Sequence, residues 1–318
     1  MLDRSIYKKI RNIEVRTRKA VNQLFVGSYR SVFKGQGLEF HEVREYAPGD
    51  DIRLIDWNVS ARLGQPYIKK FIEERQQRLV VAVDVSGSLD FGSQKQSKNE
   101  TAAEIAAALA FSAIKNNDLV GLLLFSDKIE KYIPPKKGKR HVLRVIREIL
   151  SQQKSSVKTD LGQALRYLNR VNRKSSIIVL ISDFLAQDFQ KPIRVLSKHH
   201  DLVPIVIKDR LEKTLPQLGL VNFEDPESNE IYSLDLSDQK IRAQYQAQSS
   251  NDSQTLAKFF RSLKLDHLEL TCDGHYAAAL TKFFKARERR IKHWTKKRCE
   301  ILKVFIINLI GKLFCSSC

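Results

Sequence analysis

The sequence predicts a doubly wound α/β domain on a mostly parallel sheet, preceded by a β-rich arm. Three observations carry that expectation. From Arg78 onward, short apolar runs alternate with longer amphipathic ones. The short runs lack polar alternation, which marks strands buried on both faces. The segments between them have the length of crossover helices, the connection that parallel strands require.

Taken in order, "LVVAVDV" (79–85) is rich in β-branched residues and reads as the first strand. "NETAAEIAAALAFSAIKNN" (99–117) is an alanine-rich helix, and "LVGLLLF" (119–125) returns to a buried strand. "KRHVLRVIREILSQ" (139–152) and "LGQALRYLNRVN" (161–172) repeat apolar residues at helical spacing. "SIIVLISDF" (176–184) is a strand, "FQKPIRVLSKHH" (189–200) a helix and "LVPIVIK" (202–208) a strand. The pattern is strongest over 78–208, and the domain is expected to extend over 78–285.

Three further segments are expected: a basic N-terminal helix over 1–34, the arm over 35–77 and a basic, apolar tail over 286–318. In the arm, Gly35, Gly37, Pro48 and Gly49 punctuate short extended runs, and Trp57 is expected to anchor it on the sheet domain. Its charges, Arg44, Glu45, Asp50, Asp51, Arg53 and Asp56, are expected to pair with one another.

With 42% hydrophobic and 29% charged residues in 318, the composition is that of a soluble globular protein. The N-terminus lacks the pattern of a secretory signal, and the four cysteines, Cys272, Cys299, Cys315 and Cys318, all fall late in the chain. That is no disulfide framework, and a reduced, cytoplasmic protein is expected.

The net charge of +19 is concentrated at the ends: residues 1–34 hold nine Lys/Arg against two acids, and residues 282–318 eleven against two. Basic ends suit an anionic surface. Nucleic acid is not the expected partner, because neither end interleaves aromatics or shows a reading motif. The polybasic "KARERRIKHWTKKR" (285–298) leads into fourteen mostly apolar residues, "ILKVFIINLIGKLF" (301–314). As a helix these rise only about 21 Å, short of the roughly 30 Å hydrocarbon core. Peripheral membrane contact through 285–314 and packing on the domain or a second copy both stay open.

Every parallel strand of such a sheet points its carboxyl end at one edge, where ligands bind. Asp84 ends the first strand, with Ser86 and Ser88 following at alternate positions; Thr159 lies in a loop entering a helix, and Asp183 ends a later strand. Carboxylates and hydroxyls without His or Cys suit a hard cation, Mg²⁺, with Mn²⁺ or Ca²⁺ as substitutes. An incompletely neutralised ion would accept a further acidic oxygen from a partner.

"DVSGS" (84–88), "KTDL" (158–161) and "ISDF" (181–184) resemble the three parts of the metal-ion-dependent adhesion site of a von Willebrand factor A domain. The resemblance implies that Ser86, Ser88 and Thr159 coordinate the ion and that Asp84 and Asp183 act directly or through water. Residues 27–75, with "YAPGDDIRLIDW" at their core, resemble the segment preceding the A-like domain in the bacterial family called domain of unknown function 58, and the likeness runs to about residue 285. It implies a von Willebrand factor A-like, Rossmann-type fold and a partner, a MoxR-type AAA+ ATPase. The chain has no GxxxxGK[ST] of its own, so an adaptor is expected and not the motor.

The rival reading is a metal-dependent hydrolase with a nucleophilic Asp84. Such enzymes place a second carboxyl two residues on as general acid, where this chain has Ser86, whose hydroxyl cannot serve near neutral pH. No catalytic residues are expected.

Overall fold

The computed structural model describes residues 39–72, 77–93, 96–151, 158–224, 231–273, 276–287 and 289–290. The expected N-terminal helix, Gly35, Gly37 and the tail after Arg290, with the rest of the 285–298 polybasic run and all of the apolar run, lie outside the described residues. Two compact units make up the chain, one over 33–77 and the other including everything from Arg78 on.

The arm is an antiparallel ribbon of β1 (Glu39–Glu45) and β2 (Tyr67–Ile72), joined through a 3-10 turn (Ile52–Leu54) and helix α1 (Trp57–Leu63). Its charges organise the chain locally. Arg44 pairs with Asp50 at 2.7 Å, and Asp50 also accepts from the Ala47 N–H. Asp51 caps the 3-10 turn, while Asp56 caps α1 through the Asn58 and Val59 N–H groups and pairs with Lys69. Gly64, at φ 73°, closes α1 in the left-handed conformation that glycine adopts without strain. Trp57 opens α1, and Ile68 is buried among the described residues of the arm.

The larger unit is built on a six-stranded sheet. Its first five strands in sequence are β3 (Arg78–Asp84), β4 (Leu119–Phe125), β5 (Ile129–Lys136), β6 (Ile177–Ser182) and β7 (Asp201–Lys208). A small antiparallel hairpin, β8 (Leu220–Glu224) with β9 (Ile231–Asp235), precedes the last, β10 (Leu268–Thr271). The strand order is β10-β7-β6-β3-β4-β5, and all pairings are parallel except that of β5 with β4.

Strand β5 escaped the sequence reading because it is half-exposed and carries Pro134 and Pro135, which only an edge tolerates. The close approach explains Gly121 in β4, where a Cβ would stand 3.0 Å from the Ile133 carbonyl oxygen and from Pro135. Pro204 is accommodated similarly in β7, because β10 pairs only from Ile205 onward.

Among the described residues, helices α2 (Lys98–Lys115), α3 (Lys139–Leu150), α4 (Leu161–Val171), α5 (Gln190–His199) and α6 (Gln239–Ser262) flank the sheet, and the chain is helical again over 276–287. Strand period sends Val80 and Ala82 of β3 to one face, where they join Leu123, Ile178 and Leu180 in a core shared with Leu161, Leu165 and Leu168 of α4, Ile193 and Leu196 of α5, and Phe260 of α6. Helices α2 and α3 pack together, with α2 against β3, β4 and β7. The fully buried Ala102, Ala106, Ala107 and Ala110 let α2 lie close to its neighbours. Among the described residues, no helix is long and apolar enough to cross a membrane.

Candidate metal centre

From β3 the chain winds outward through β4 to β5; from β6 it winds the opposite way through β7 to β10. The reversal falls between β3 and β6, which are parallel neighbours, so their carboxyl ends open the crevice in which doubly wound sheets bind ligands. Asp84 is the last residue of β3, and Asp183 follows the last residue of β6.

Asp84 is fully buried and Ser86 nearly so. Asp84 Oδ1 accepts from the Ser86 N–H at 3.0 Å, and Oδ2 accepts from the Ser182 hydroxyl at 2.8 Å. Burial and the neighbouring Asp183 charge push the Asp84 carboxyl up to about 6, against the partly opposing hydrogen bonds from Ser86 and Ser182. The Ser86 and Ser88 hydroxyl oxygens lie 3.1 Å apart. Asp183 is 4% exposed and is followed by Phe184 at φ 59°, a left-handed conformation uncommon for a bulky residue, with its N–H donating to the Ser182 hydroxyl at 3.1 Å.

Thr159 reaches the same edge through the backbone of its neighbours. The Asp160 N–H donates to the carbonyl of Ser126, the residue after β4, and the Val85 N–H donates to Phe125 in β4. Asp160 itself is the cap of α4, accepting from the Gln163 N–H at 2.7 Å. The structure thus ties Asp84, Ser86, Ser88 and Asp183 into one group by hydrogen bonds and mutual charge, and tethers the Thr159 loop to the strand on the other side of β3.

Several polar residues at this edge carried no sequence signal. Ser182 looked like part of an apolar strand. Lys98 stood in a polar run before α2, yet its side chain is 1% exposed and its ammonium bonds Asp183 Oδ2 at 3.1 Å and Glu212 Oε1 at 2.6 Å. Burial works against that charge, but Asp183 and Glu212 outweigh it and raise the ammonium above its ordinary value. The signal that could have found Lys98 is only tertiary, since its partners are 85 and 114 residues away.

The donor set suits a hard divalent cation. Neighbouring ligands on an octahedral Mg²⁺, each about 2.1 Å from the ion, stand about 3 Å apart, and the Ser86 and Ser88 oxygens have that spacing. The charge of Asp183, close enough to raise the proton affinity of the buried Asp84, marks a place where a cation is favoured. Among the described residues no three His, Cys, Asp or Glu side chains group as a metal site, so the candidate centre rests on hydroxyls beside the Asp84 and Asp183 carboxylates. His200 and His267 are held below the usual imidazole range by burial, and the His267 ring packs on Phe260.

A parallel sheet with one antiparallel edge strand and an Asp-x-Ser-x-Ser crest at its switch point defines a von Willebrand factor A-like module. The chain belongs to the family described as protein of unknown function DUF58, whose model matches residues 42–255. Uncharacterized protein Rv1480 of Mycobacterium tuberculosis is 28% identical to it over 290 residues, covering 90% of this chain and 91% of the relative. Among solved structures, the conserved hypothetical protein BatB from Bacteroides thetaiotaomicron is 14% identical, with a TM-score of 0.45, over 67% of this chain and 99% of that one. Proximal thread matrix protein 1 from the mussel byssus, solved with zinc in its adhesion motif, is 18% identical, with a TM-score of 0.34, over 42% of this chain and 38% of that one.

Proposed function

We propose that this protein is a metal-dependent interaction module: Asp84, Ser86, Ser88, Thr159 and Asp183 hold Mg²⁺, with Mn²⁺ or Ca²⁺ as substitutes, and present it to a carboxylate of a protein partner. The observation that carries the reading is the Ser86–Ser88 oxygen pair, 3.1 Å apart beside a fully buried Asp84 at the switch point of the sheet. When bound, the ion supplies an electrophilic position for an acidic oxygen. The chain's own part is to fix the donors: Ser182 and the Ser86 N–H orient the Asp84 carboxylate, and the Leu185 N–H, 3.3 Å from Asp183 Oδ1, helps orient Asp183.

In this reading the protein is not an enzyme. Ser86 stands where a hydrolase of this type needs a second acid, and Ser88 is engaged with Ser86. The partner in view is a MoxR-type AAA+ ATPase, a choice that rests on family membership and on the lack of a phosphate-binding loop in this chain. A cytoplasmic setting fits the buried free thiol of Cys272.

The test is calorimetric titration of the full chain with Mg²⁺ and Mn²⁺ beside the Ser86→Ala/Ser88→Ala double variant, then capture of the candidate ATPase with and without chelator. Binding by the wild type that the variant loses, with chelator-sensitive capture, supports the reading. A wild type that binds neither ion overturns it.

A further inference from the structure

Lys98 opens α2 with its side chain 1% exposed. A cation at a helix N-terminus opposes the helix dipole, and a buried one gives up its hydration. The position is therefore held by partners, and its two carboxylates belong to different parts of the fold. Asp183 sits at the crest after β6, whereas Glu212 lies in the turn after β7.

Glu212 is built into that turn. Its Oε2 accepts from the Asp209 N–H at 2.8 Å, and its carbonyl accepts from the Ser249 hydroxyl of α6 at 2.7 Å. Asp209 is fully buried and accepts from the Leu211 N–H at 2.8 Å and the Ser93 N–H at 2.9 Å. Ser93 lies just past the Ser86–Ser88 segment. One ammonium thus ties the candidate metal centre to a turn that is itself bonded to α6 and to the loop carrying the hydroxyl ligands.

We propose that Lys98 is a positioning residue that couples occupancy of the metal centre to the conformation of the 209–212 turn. The proposal rests on the metal reading given above. The Lys98 ammonium and a divalent ion draw on the same Asp183 carboxylate, and their like charges repel. When Asp183 serves the ion, Lys98 is left to Glu212, and the turn that Glu212 braces rearranges with it. A change at the metal centre is thereby conveyed to α6, a surface helix beyond the crest.

Mg²⁺ titration of the full chain by calorimetry, with hydrogen exchange of the 209–212 amides, tests this. Lys98→Met is expected to bind Mg²⁺ at least tenfold more tightly, because the competing charge is gone. Glu212→Gln, at a position 24% exposed, keeps an amide oxygen for the Asp209 N–H, leaves Lys98 to the Asp183 charge alone and is expected to bind at least threefold more weakly. A purely structural part would weaken binding in both variants. Saturating Mg²⁺ is expected to change exchange at the turn at least threefold in the wild type and not in Glu212→Gln.

Wild-type affinity in both variants, with an unresponsive turn, overturns the coupling while leaving the metal reading intact. A wild type that binds neither Mg²⁺ nor Mn²⁺ overturns the metal reading and the coupling with it.

Discussion

The hydroxyl of Ser182 donates a 2.8 Å hydrogen bond to Asp84 Oδ2 across 98 positions of sequence, joining the ends of the two strands between which the sheet reverses its winding. Both residues are fully buried. The bond fixes the orientation of the carboxylate on which the whole crest is organised, and the same hydroxyl accepts from the Phe184 N–H, holding the turn that carries Asp183.

Ser182→Ala removes a donor from a buried carboxylate and an acceptor from a buried N–H. The expected cost is about 2 kcal/mol, in the range for a hydrogen bond to a charged group. Urea unfolding at pH 7 should show a lower midpoint with an unchanged slope. An unchanged midpoint would mean that the bond carries no weight in the fold.

Asp84 titrates at about 6 in the folded protein, against an ordinary value of 3.8. Its protonated form is therefore the one the metal-free fold favours. That stability is fully present below the unfolded value and is lost as pH rises through about 6. Two pKa units correspond to about 3 kcal/mol. With chelator present, Asp84→Asn should gain on the wild type between pH 4 and pH 7, approaching that difference. Parallel stability profiles for the two proteins would contradict the shift.

Asp84→Ala should abolish metal-dependent partner capture while leaving the sheet assembled. Circular dichroism reports the second point, and capture of the candidate ATPase with and without Mg²⁺ reports the first. Undiminished capture by this variant would remove Asp84 from the site.

Phe260 of α6 is fully buried, with its ring edge-on to Phe184 at 5.3 Å. Phe260→Ala is expected to cost about 3–5 kcal/mol, the usual range for deleting a buried aromatic ring. Because Phe184 follows Asp183 directly, exchange of the Leu185 amide should also quicken. Thermal unfolding and exchange measured on the same sample check both effects.

The sequence by itself determined the central strands and the helices between them, because a strand buried on both faces must be apolar at every position and "LVVAVD" and "IIVLIS" leave no other reading. It also placed Asp84, Ser86, Ser88, Thr159 and Asp183 at strand ends and helix entries, since chain direction in a parallel sheet decides which end meets the ligand edge. Tertiary structure alone decided the rest. Strand β5 forms despite two prolines because it lies at an edge, and α6, mostly polar along its length, is held by Phe260 in the core. Lys98 is buried because two carboxylates from distant turns converge on it. Hydrophobic period is a local property of the chain, whereas the pairing of a buried charge depends on residues that only the folded sheet brings together.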